Sequence, residues 1–105
     1  MKILVVDDET MIREVIKEYC AANHFTTDEA ASGKEALKKL EHNTYDLLVL
    51  DIMMPEMDGY TLLEELPKEK KIPTLVLSAR GEEVDKLHGF ELGIDDYLTK
   101  PFSPK

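Results

Sequence analysis

Two short apolar runs deliver carboxylates. Ile3-Leu4-Val5-Val6 leads into Asp7-Asp8-Glu9, and Leu47-Leu48-Val49-Leu50 leads into Asp51. Two further runs end near other polar groups: the stretch from Pro73 reaches Ser78, and that from Ile94 to Leu98 stops just before Lys100. If the fold gathers these ends, Asp7, Asp8 and Asp51 repel one another, and something must offset their charge. A hard divalent cation with oxygen ligands does so, and Mg2+ is the usual choice where phosphate chemistry is near. Asp8 and Asp51 would ligate it directly, Asp7 would act through water, and the Met53 backbone carbonyl would complete the protein share. Asp51 is then an ionised carboxylate that needs no general base. It can attack a phosphoryl group and form an acyl phosphate. Lys100 would neutralise charge on the phosphoryl oxygens, and the Ser78 hydroxyl would donate a hydrogen bond to them.

The elements that position these residues follow from hydrophobic spacing. Apolar runs of four, without alternation, predict strands buried on both faces, as in parallel sheets. Ile3 to Val6 is the first, Leu47 to Asp51 the third and central one, Pro73 to Ser78 the fourth. Phe25 to Ala30 is a weaker second strand near an edge, and Ile94 to Leu98 a short fifth. Between strands the period lengthens. Ile12, Val15, Ile16 and Tyr19 fall at helical spacing with charged residues between them, and that helix should end near Asn23. Ser32-Gly33-Lys34-Glu35 fits a capping box for a second helix with Ala36, Leu37 and Leu40 inward. Asp58 is a plausible N-cap for a third helix bearing Leu62, Leu63 and Leu66, which Pro67 should stop. After Gly81 a fourth helix should run to about Leu92, with Gly93 as its stop. The alternation of strand and helix predicts an α/β fold with helices on both faces of a parallel sheet. His24, His42 and His88 lie in or beside helices, away from the strand ends.

Length and charge narrow the function. The chain has 105 residues, enough for one small domain with a single core. Its net charge of −9 argues against this segment gripping nucleic acid or anionic lipid by itself. The lone Cys20 allows no internal disulfide, which permits a reducing, cytoplasmic setting. No apolar stretch approaches membrane-spanning length. Ser103-Pro104 is a helix-start signal, so a fifth helix is expected to follow and to be missing from this chain. Its loss would uncover apolar sheet surface, which favours association.

Taken together, four motifs resemble the receiver domain of two-component response regulators across the whole length. They are Val-Val-Asp-Asp-Glu (5–9), Leu-Asp-Ile-Met-Met-Pro-Glu-Met-Asp-Gly (50–59), Leu-Ser-Ala (77–79) and Asp-Asp-Tyr-Leu-Thr-Lys-Pro-Phe (95–102). The resemblance implies a flavodoxin-like, doubly wound, five-stranded parallel sheet in the order 2-1-3-4-5. It implies Asp51 as phospho-acceptor, Mg2+ at Asp7, Asp8, Asp51 and the Met53 carbonyl, and Lys100 as the phosphate-binding cation. A cis bond between Lys100 and Pro101 and a switch pair of Ser78 and Tyr97 are implied as well. The run from Gly89 to Pro104 resembles the OmpR/PhoB-type branch, mostly transcription factors. There Lys86, Asp95 and Asp96 match charged positions of a homodimer face built on the fourth helix and fifth strand. A sensor histidine kinase is the implied phosphodonor, and DNA would be reached only through an output domain not present here. On this reading the chain is a signalling domain and not an enzyme acting on a separate substrate.

Three other readings use the same sheet. A flavodoxin-type flavin carrier needs a hydroxyl- and glycine-rich phosphate loop after the first strand, where Asp7-Asp8-Glu9 stands. An aspartyl-phosphate phosphohydrolase needs a second carboxylate two residues after the nucleophile, where Met53 stands. A pseudo-receiver would share the fold and never carry phosphate.

Overall fold

Runs that are apolar at every position become strands covered on both sides. The computed structural model describes residues 1–67, 71–79 and 95–100. Its elements are β1 (Lys2–Val6), α1 (Thr10–Ala22), β2 (Thr26–Ala30), α2 (Gly33–His42), β3 (Leu47–Asp51), α3 (Gly59–Glu65), β4 (Thr74–Ala79) and β5 (Asp96–Lys100). The strands form one five-stranded sheet in the order β2-β1-β3-β4-β5, as expected. Every neighbouring pair is parallel.

Alternation within each strand divides the core in two. Leu4, Val6, Leu48, Leu50 and Val76 face one side with Ala36 and Leu40 of α2 and Leu62 and Leu63 of α3. Ile3, Val5, Val49 and Leu77 face the other, with Ile16 and Cys20 of α1. Each fully buried Leu or Val contributes about 2 kcal/mol of apolar burial. The α1 stripe is narrower than its spacing suggested: Ile16 and Cys20 are buried, whereas Tyr19 is 41% exposed.

Local chemistry sets the helix ends. Ser32 Oγ accepts the Glu35 N–H at 3.2 Å, and the Glu35 carboxylate accepts the Ala31 N–H at 3.3 Å. The capping box therefore closes one residue further back than the standard form. Asp58 Oδ1 accepts the Thr61 N–H at 2.9 Å, which starts α3. α3 stops as Pro67 requires: a residue before proline is pushed out of the helical region, and Leu66 has ψ 130°. After α1, His24 takes φ 64°, and the Phe25 N–H reaches the Cys20 carbonyl at 2.9 Å.

The strand bounds differ modestly from expectation. β2 begins at Thr26, because the Phe25 amide closes the end of α1 and does not enter the sheet. β5 begins at Asp96 and extends to Lys100, two residues beyond the expected stretch. Asp95 ends the preceding connection by binding the foot of β4: its N–H donates to the Thr74 carbonyl and its carboxylate accepts the Thr74 N–H at 2.7 Å. The expected fourth helix, with Lys86 and His88, lies outside the described residues, as does Pro101. The same holds for the side chains of Ser78, Tyr97 and Lys100.

Candidate phosphoryl-acceptor and metal site

Strand register brings the acids together. Val6 lies beside Leu50 in the β1–β3 ladder, so one residue further on Asp7 stands beside Asp51. Alternation then turns both side chains toward the α1 face. This is the point where the strand order reverses, and its crevice lies at the carboxyl ends of the strands. Asp7 is wholly buried, Asp51 is 2% exposed, and Asp8 opens to solvent. One carboxylate oxygen from each of Asp7, Asp8 and Asp51 lies within 4.8 Å of the others.

Backbone groups hold the cluster. The Asp7 N–H donates to the Ala30 carbonyl at 3.1 Å, which extends the β1–β2 ladder past the strand end. Asp7 Oδ1 accepts the Glu9 N–H at 2.8 Å as α1 begins. Asp51 Oδ1 accepts the Met53 N–H at 3.3 Å, and the Met53 side chain is 60% exposed beside it. The loop after Asp51 closes through the Gly59 N–H and the Ile52 carbonyl at 2.7 Å. Gly59 is needed there, since a Cβ would stand 3.0 Å from the Asp51 carbonyl oxygen. Within that loop Glu56 takes φ 69°, a left-handed turn directly after Pro55.

The donor set fits a hard divalent cation. All three side chains are carboxylates, and two are taken out of water beside each other, where like charges are costly without a counter-ion. Among the described residues no histidine or cysteine joins the group.

A charged network lies behind Asp7. Arg13 on α1 donates from Nη1 to the Asp7 carbonyl at 2.7 Å, from Nε to Glu29 Oε1 at 2.7 Å, and from Nη2 to Thr10 Oγ1 at 3.3 Å. Lys17 donates to Glu29 Oε2 at 2.6 Å, and Lys39 reaches the Glu29 carbonyl. The Lys17 ammonium, then Arg13, hold the Glu29 carboxyl below its ordinary range, and Glu29 in turn raises Lys17. Spacing did not single out Arg13, which sits among the charged residues of an amphipathic helix.

The remaining expected residues are placed by backbone alone. Leu77 pairs with Asp51, so Ser78 stands one residue beyond it at the end of β4. Lys100 pairs with Ala79 at the same rim, and Tyr97 pairs with Val76 further down β5. Asp95 and Asp96 are exposed at the opposite end of β5.

Comparison with known proteins agrees with this geometry. The family model for the response regulator receiver domain matches residues 3–105. The transcriptional regulatory protein ResD of Bacillus subtilis (strain 168) is 45% identical over 104 residues, which cover 99% of this chain and 43% of ResD. The transcriptional regulatory protein SrrA of Staphylococcus aureus (strain NCTC 8325 / PS 47) is 44% identical over 104 residues, with the same coverage. The chain thus spans under half the length of these curated relatives. The receiver domain of the Francisella response regulator 1452 superposes with a TM-score of 0.86 at 44% identity, covering 98% of this chain and 86% of that one. The chemotaxis response regulator CheY4 of Vibrio cholerae gives 0.89 at 29% identity, covering 98% and 88%. By sequence and by fold, the chain belongs to the response regulator receiver domain family.

Proposed function

We propose that this chain is a phosphorylation-activated receiver that takes a phosphoryl group from a sensor histidine kinase onto Asp51. The observation that carries this reading is the trio of carboxylates within 4.8 Å, two of them buried. Asp7, Asp8 and Asp51, with the Met53 carbonyl, would hold Mg2+. When bound, the ion would neutralise charge on the phosphoryl oxygens. Asp51 supplies the attacking carboxylate oxygen. Its burial at the end of β3 limits water and fixes the direction of attack. Lys100 and Ser78, which the strand ends bring to the same rim, would bind the phosphoryl oxygens by charge and by hydrogen bond. Ser78 and Tyr97 would then report occupancy as a switch pair, shifting a pre-existing equilibrium of the surface on β5 and the segment before it.

The whole chain is read as one receiver domain, working in the cytoplasm and catalysing only its own phosphotransfer and dephosphorylation. Among the described residues no helix is long and apolar enough to cross a membrane. Both relatives named above are transcriptional regulatory proteins, which supports the OmpR/PhoB-type branch and control of transcription. Lys86, Asp95 and Asp96 would contribute to a homodimer face, and DNA contact would belong to an output domain outside these 105 residues.

The test is incubation with Mg2+ and acetyl phosphate, followed by intact mass. The wild-type chain gains one phosphoryl group, and Asp51→Asn gains none. Absence of any gain in the wild type would favour the pseudo-receiver reading instead.

A further inference from the structure

We infer that Arg13 is a positioning residue for the ion site, fixing the peptide that joins its two N-terminal acids. The inference rests on the Mg2+ reading above and adds a residue to it. The carbonyl that Arg13 binds at 2.7 Å belongs to Asp7, so it lies in the same rigid plane as the Asp8 amide. Rotation of that plane moves the Asp8 side chain relative to Asp7. The preceding peptide plane is fixed where the Asp7 N–H meets the Ala30 carbonyl, so the Arg13 guanidinium is what sets the orientation of the plane between Asp7 and Asp8.

The grip is itself held. The Arg13 side chain is only 12% exposed, and its Nε donates to Glu29 on β2. Nε and Nη1 belong to one planar fork, so orienting the first orients the second. Glu29 is in turn anchored by Lys17, while Lys39 from α2 binds its backbone. Both the edge strand and the first helix therefore brace a peptide that neither contributes to the carboxylate cluster. Oxygen ligands of a small divalent ion must meet demanding geometry, and groups behind the ligands commonly set it.

Charge and position predict opposite signs. As a mere cation near a dication, Arg13 would repel Mg2+, and its removal would tighten binding. As a positioning group, its removal loosens binding.

The experiment is a calorimetric Mg2+ titration of the wild-type chain, Arg13→Gln and Arg13→Lys, with circular dichroism to verify folding. Arg13→Gln should weaken Mg2+ about 10-fold. Arg13→Lys keeps the charge and the stem but not the fork, and should weaken it nearly as much. Acetyl phosphate labelling of both variants should recover toward the wild-type rate as Mg2+ is raised, which a general loss of stability would not produce. Where Arg13→Gln does not fold, Arg13→Lys carries the test alone. Unchanged or tighter Mg2+ binding in a folded variant overturns the inference by itself. A wild-type chain that takes up no Mg2+ overturns the reading beneath it as well.

Discussion

At the foot of the sheet, Asp28 receives the Tyr45 hydroxyl at 2.6 Å and lies 3.7 Å from the Lys2 ammonium. Lys2 also stands over the Tyr45 ring, 5.1 Å from its centre, and its N–H donates to Asp46 at 2.8 Å. At the opposite rim three carboxylates crowd within 4.8 Å, with Arg13 spent on a carbonyl and on Glu29. Both ends are built from acids beside paired parallel strands. One holds its acid against a phenol and an ammonium, whereas the other gathers three carboxylates at one point. The foot thus ties β1, β2 and the approach to β3 together, and the upper rim concentrates negative charge where a cation could bind.

Removing a donor at the foot and a charge at the rim should therefore act with opposite sign. Tyr45→Phe removes the donor to Asp28 and should cost about 1.5 kcal/mol in urea unfolding. Burial, then the bond to Asp28, raises the Tyr45 phenol above its ordinary 10, so the donor stays protonated and this cost should hold from neutral to mildly alkaline pH. Asp7→Asn should do the reverse. It keeps an oxygen for the Glu9 N–H yet relieves repulsion, and in EDTA it should raise stability by on the order of 1 kcal/mol. Addition of Mg2+ should stabilise the wild type and leave Asp7→Asn nearly unchanged. If Asp7→Asn is destabilising in EDTA, the contrast between the rims fails.

A smaller effect is expected from Glu29, which belongs to neither end. Its carboxyl is held below the ordinary 4.5, so its ion pairs stabilise the fold above that pH and are lost as pH falls through the lowered value. Lys17 is raised above the ordinary 10.5, so its share is complete below that pH and fades as pH rises through the raised value. The stability difference between wild type and Glu29→Gln should thus be level through neutral pH and shrink toward both extremes. Salt should reduce it throughout, because Lys17 and Glu29 are both partly open to solvent.

How far the sequence could be read depended on how many faces an element buries. β1 and β3 are covered on both faces, so residues 3–6 and 47–50 are apolar throughout and their ends at the acids are plain. β2 is an edge strand of sequence TTDEA, whose outer residues need not be apolar, and its start was misplaced by one residue. β5 was misplaced further, because Asp95 is spent on Thr74 and the ladder begins only after it. Asp7, Asp8 and Asp51 were legible because several strand ends carry polar groups to one edge of a parallel sheet, although each acid alone would read as a loop cap. Arg13, Glu29 and the Tyr45–Asp28 bond were not. Each rests on a contact between elements distant in sequence, and periodicity within a helix or strand carries no trace of such a partner. An arginine in the first turn of the helix that follows an acidic strand end is the signal that was available.

The placement of β3 between β1 and β4 has one more consequence. Side chains alternate along a strand, so a slip of β3 by one residue would turn Asp51 to the α2–α3 side and bring Leu50 up beside Asp7. A molecule assembled with that error would have no acceptor to label. Misassembly here ends in silence and not in a false signal, since the same ladder that builds the core also decides whether there is anything to phosphorylate.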